Sequence, residues 1–162
     1  MHIQTFLALL YNVVLVAVCC FAAVRGGRPE RIGAALNVTA SIGSSIARSM
    51  AITSWAPAEI VILVIDVSIA AGFFWLAIRT IRFWPIWAFG FAMANLFISL
   101  AGGLLPKVTL FAYSSGLVLY AYLALASLAF GTFLLPGDAS PSLRNGSRRL
   151  WQQHQNENRT KT

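Results

Sequence analysis

Residues 32–54 read "IGAALNVTASIGSSIARSMAITS", and whether this stretch crosses a bilayer decides the fold. It is long enough, since a hydrocarbon core of about 30 Å takes about 20 helical residues. It also carries Asn37, several hydroxyls and Arg48, so hydropathy alone leaves it open. Charge placement decides it. Lys and Arg gather on the cytoplasmic side of a membrane. If 32–54 spans, all of the 12 Lys and Arg except Lys107 and Arg48 fall on one side. They come from the first loop (Arg25, Arg28, Arg31), the third loop (Arg79, Arg82) and the tail. If it does not span, the basic residues divide almost evenly and the bias vanishes.

Four further apolar runs surround this one, at about 5–24, 57–78, 84–105 and 109–135. Over its 162 residues the chain is 58% hydrophobic and 10% charged, whereas soluble domains carry about 25% charged residues. The first run lacks a basic leader and is longer than the core of a cleaved signal, which predicts a retained span. Pro57 and Pro85 suit helix starts, and Pro106 closes the fourth run. Trp55 is expected at the outer boundary and Trp84 and Trp87 at the inner one, where interfacial aromatics collect. The sequence therefore predicts an all-α integral membrane protein. It is a five-transmembrane-helix bundle with a periplasmic N-terminus and a short disordered cytoplasmic tail over 136–162.

Within 32–54, Ala35, Thr39, Gly43 and Ala47 recur at a spacing of four, beside Ala40, Ser44 and Arg48. Small residues so spaced let helices approach closely in lipid, which predicts a helix inside the bundle. The tail is polar and contains Pro and Gly, with too little apolar surface to fold alone. Arg148, Arg149, Leu150 and Trp151 are placed to rest on the inner leaflet.

The chain buries an acid in "EIVILVIDVSIAAGFFWL" (59–76). Asp66 lies about 14 Å into its helix at 1.5 Å per residue, near the midplane. An unpaired acid there costs about 2.5–3.5 kcal/mol on insertion scales. Folding the second and third spans about Trp55–Pro57 sets Asp66 at the height of residue 46, within one turn of Arg48. The hairpin thus offers a structural ion pair; proton or ion transfer by Asp66 is the alternative. Glu59 sits in a first helical turn, favoured by the helix dipole, and competes for Arg48. Asn12, Asn37 and Asn95 lie in separate spans, able to hydrogen-bond between helices for about 0.6 kcal/mol each.

Other chemistry is scarce. The net charge of +7 comes from residues at the ends of apolar runs and in the tail, a placement for anionic head groups rather than nucleic acid. Cys19 and Cys20 are adjacent in an apolar run and suggest neither a disulfide framework nor a metal site. His2 and His154 lie at opposite ends of the chain. The tripeptides "NVT" and "NGS" match glycosylation acceptors, but one lies in a predicted span and the other in the tail. No catalytic set can be assembled and no cofactor is expected: Glu59 and Asp66, seven apart, are too distant for a shared proton.

The stretch "IRFWPIWAFGFAMANL" (81–96), following an acid-bearing span and a Trp55-x-x-x-Glu59 start, resembles small multi-span inner-membrane proteins of alphaproteobacteria. The resemblance implies a bacterial inner membrane and transfers no activity. The function expected is that of an accessory or interaction protein, packing against itself or a larger membrane complex. Alternatives are a small transporter or channel using Asp66, and a lysis-type pore former.

Overall fold

A computed structural model of the chain describes residues 2–50, 55–104, 110–136, 144–148 and 152–153. Side chains within it are described except at 2–8, 48, 50, 55–59, 101–104 and 110–117. The described chain is all-α. Five helices follow in order: α1 (His2–Arg25), α2 (Arg28–Met50), α3 (Trp55–Arg79), α4 (Trp84–Leu104) and α5 (Leu110–Phe133). The one β pairing among the described residues is an isolated antiparallel bridge between Thr80 and Ser147.

Local chemistry accounts for the helix ends. After Arg25, in the last turn of α1, the Gly26 N–H closes the helix on Ala22 O at 3.0 Å. Only Gly26 and Gly27 separate it from α2, so Arg28 and Arg31 belong to that helix rather than to a loop. Pro29 sits in the first turn of α2, where a missing N–H costs little. The α3 helix ends at Arg79, whose guanidinium lies 5.5 Å above the Trp75 ring. Pro85 occupies the first turn of α4.

The helices pack in chain order, each against the next, and α1 meets α5 to close the ring; α2 also reaches α5. Tyr11 and Tyr122 meet edge to face at 5.4 Å across the α1–α5 seam, while Phe74 and Phe89 pack between α3 and α4. The Cys19 thiol is buried and points at Ala34 O, 3.7 Å away on α2.

The interior is built largely of small residues. Ala22, Ala34, Ala70, Ala88, Ala92 and Ala124 are buried, joined by Phe73, Leu76, Leu125 and Leu128. Large apolar side chains point outward from every helix, among them Val13, Ile42, Phe74, Phe97 and Phe130. By length and composition Ile60–Arg79 is apolar enough to cross a membrane, and only 17% of its most apolar window is buried. It alone passes that test among the described residues.

The placement of α2 differs from expectation. Ala47 is buried and Gly43 half-buried, but Ala35 and Thr39 of the same row are exposed, as are Ile42, Ser45 and Ile46. Half of the Ala35–Thr39–Gly43–Ala47 row is exposed, so α2 lies in the ring with one face outward. That face satisfies its own polar groups. Thr39 donates to Ala35 O at 2.8 Å, Ser45 to Ser41 O at 2.8 Å and Ser49 to Ile46 O at 2.7 Å. A hydroxyl bonded to its own helix backbone needs neither water nor a neighbouring helix.

Candidate functional site

Polar contacts concentrate at the end of the bundle where the α1–α2 turn, the α3–α4 loop and part of the tail come together. At its centre is Glu30, whose side chain is 0% exposed. Its position follows from the helix start. With Gly27 as the N-cap, Glu30 is the third helical residue, from which a carboxylate reaches back to the cap N–H. The Gly27 N–H donates to Glu30 Oε2 at 2.9 Å, and the Arg31 N–H begins the helical ladder on Gly27 O at 3.2 Å.

The second carboxylate oxygen serves the other half of the molecule. Trp84 Nε1 donates to Glu30 Oε1 at 3.2 Å, and Arg82 Nε lies 3.4 Å from the same oxygen with its side chain 15% exposed. An isolated buried carboxylate is prohibitively costly; this one is neutralised and accepts two hydrogen bonds. The arrangement can join elements and hold a charge in place. Both oxygens are occupied by this chain's own donors, which leaves little for a substrate.

Trp84 is 4% exposed, so it is a core residue and not the interfacial aromatic that its position suggested. Its ring fits between two glycines. A methyl group on Gly33 of α2 would overlap its outer edge, and one on Gly131 of α5 would overlap its inner atoms. Phe73 of α3 meets it edge to face at 6.3 Å. Trp87, one turn on, is 54% exposed and lies beside Phe83 and Phe91. Trp87 is rotated only about 60° from Trp84 around α4, and that offset is enough to take it out of the core.

The tail closes this end. Although its composition predicted no structure, residues 144–148 lie on the bundle. The Ile81 N–H donates to Gly146 O at 3.0 Å, next to the Thr80–Ser147 bridge. Gly146 has φ +59°, and a side chain there would also strike Pro29. Arg144 O comes so close to Gly27 that a Cβ on Gly27 would overlap it. The Thr80 hydroxyl is buried with no hydrogen-bond partner among the described residues.

The residues singled out by sequence are dispersed. Asp66, half-buried on α3, accepts a hydrogen bond from Ser99 Oγ of α4 at 3.0 Å. The Arg48 and Glu59 side chains lie outside the described residues, and with them the expected pair with Asp66. Asn37 donates to Gly33 O of its own helix at 2.9 Å, and Asn95 is half-buried on α4. Glu30 was missed, although "GRPE" at 27–30 carries the signal: a glycine cap, a proline in the first turn and a glutamate three residues after the cap. Comparison with protein-family models, curated proteins and solved structures returns no match.

Proposed function

We propose that the chain crosses the bacterial inner membrane five times and serves there as an accessory or interaction subunit. The observation that carries this reading is the distribution of side-chain size. In water, burial of large apolar groups drives folding; in lipid that drive disappears between helices, and close packing of small residues replaces it. Every helix buries at least one alanine beside the larger Phe73, Trp84 and five leucines, while large apolar side chains lie exposed on all five helices, and that outer surface fits the second solvent. The self-bonded hydroxyls of α2 allow even the least apolar helix to face lipid. The arginines flanking the α1–α2 turn, those at and after the end of α3, and those of residues 144–148 share one end, as the positive-inside rule asks of a cytoplasmic face.

An interaction role is favoured over catalysis because the buried carboxylate of Glu30 is consumed by internal contacts. A surface for a neighbouring helix exists on α1, where Leu9, Asn12, Val13, Val16 and Ala17 line a shallow, largely apolar groove of about 500 Å³. A second reading, proton or ion transfer, is favoured by the Asp66–Ser99 contact, which places a partly buried acid between α3 and α4.

Reporter fusions after residues 27, 82 and 143 and after residues 53 and 107 test the membrane reading. Phosphatase activity only at 53 and 107, with resistance of the chain to alkaline extraction, is expected. Photo-crosslinkers at Val13 and Val16 should then capture a discrete product, another copy or a partner, that is lost when the α1 face is made bulky. Proton flux abolished by Asp66→Asn, with no such product, would move the assignment to transport.

A further inference from the structure

Residues 144–148 reach both sides of the Glu30 junction. On the α3–α4 side, the Ile81 N–H donates to Gly146 O at 3.0 Å, beside the bridge between Thr80 and Ser147. On the α2 side, Arg144 O abuts Gly27, and Gly146 lies against Pro29 with no room for a Cβ. Gly27 and Arg82 both contact the Glu30 carboxylate, whose side chain is 0% exposed. The segment is thus a short strap from the α1–α2 turn to the α3–α4 loop.

The strap is held lightly. Of residues 144–148 only Gly146 is buried, and glycine has no side chain whose burial could drive docking. Closure also leaves a polar group unmet. Thr80 is 7% exposed, and its hydroxyl has no hydrogen-bond partner among the described residues. Ser147 stands opposite Thr80 in the bridge, where opposed side chains lie on one face. Lifting the strap returns water to that hydroxyl, so its lost hydration opposes closure. We propose that residues 144–148 are a releasable strap. Closed, they keep water from the Glu30–Arg82 pair, and the unmet Thr80 hydroxyl biases them toward opening.

Backbone amide exchange of the full chain in mild detergent, read residue by residue by NMR, tests the strap. The Ile81 and Gly27 amides should exchange through one shared local opening, faster than the Phe73 amide within α3. Gly146→Val sets a β-branched side chain at φ +59°, a conformation such residues avoid, and drives it against Pro29. Both amides should then exchange about tenfold faster or more, while a Phe73 amide that stays protected shows an intact fold. Thr80→Val removes the unmet hydroxyl and should slow both amides about tenfold. That variant decides the matter if Gly146→Val does not fold. A Gly27 amide that keeps its parent rate when the Ile81 amide changes would show that the strap leaves the ion pair uncovered. An Ile81 amide indifferent to Thr80→Val would show that the hydroxyl does not oppose closure. Either result overturns the proposal.

Discussion

Trp84 and Glu30, 54 positions apart, share one hydrogen bond of 3.2 Å that joins the start of α4 to the start of α2. Through the rest of the same carboxylate the α1–α2 turn and Arg82 are drawn into one junction. Four segments therefore depend on a single side chain.

Glu30→Ala should destabilise the protein by about 3–5 kcal/mol, the range for removing one partner of a buried ion pair. Glu30→Gln keeps an acceptor and should cost about 1–3 kcal/mol. Denaturant unfolding in mild detergent measures both. A loss below about 1 kcal/mol for the alanine variant would show that the junction does not hold the bundle together.

Gly33→Ala should cost about 1–3 kcal/mol, because the methyl group meets the outer edge of the Trp84 ring in a packed interior. Trp84→Phe removes that edge. In the phenylalanine background the same alanine should be nearly neutral, so a thermal-stability cycle should show strong coupling. Additive losses would mean that the two residues do not press on each other.

Ser99→Ala should cost about 0.5–1.5 kcal/mol, the net worth of a typical intramolecular hydrogen bond. The same change should cost nothing once Asp66 is alanine. A Ser99 effect that survives in that background would place its partner elsewhere.

Thr80→Val replaces a buried hydroxyl without a partner among the described residues by a methyl group of similar size. Leaving a buried donor unmet costs about 1–3 kcal/mol, so the valine variant should melt at a higher temperature than the parent chain. A lower melting temperature would reveal a bond made by that hydroxyl in solution.

The helices were legible in sequence because their signals are local. Apolar length, Pro85 near the start of α4 and charge placement put all five close to where they lie, and charge counting grouped the loops now seen at one end. Azimuth was not legible. The hairpin argument gave Asp66 a height in the bundle; that Ser99 of α4 meets it depends on helix rotation, which packing sets. Trp84 and Trp87 likewise look equivalent along the chain, and only the glycines opposite Trp84 make it a core residue. Glu30 was hidden by its neighbours, since an acid among Arg25, Arg28 and Arg31 reads as a solvated loop charge.

The Glu30 junction also sets an order in time. As the chain is made, α2 emerges long before Trp84 and Arg82 exist, and Glu30 must wait in water with only the Gly27 N–H for company. The start of α2 keeps that single contact until Arg82 and Trp84 are made, and Gly146 is made later still. The basic end can therefore close only once residue 146 exists, and a chain cut before residue 144 would lack the Ile81–Gly146 bond that closes it.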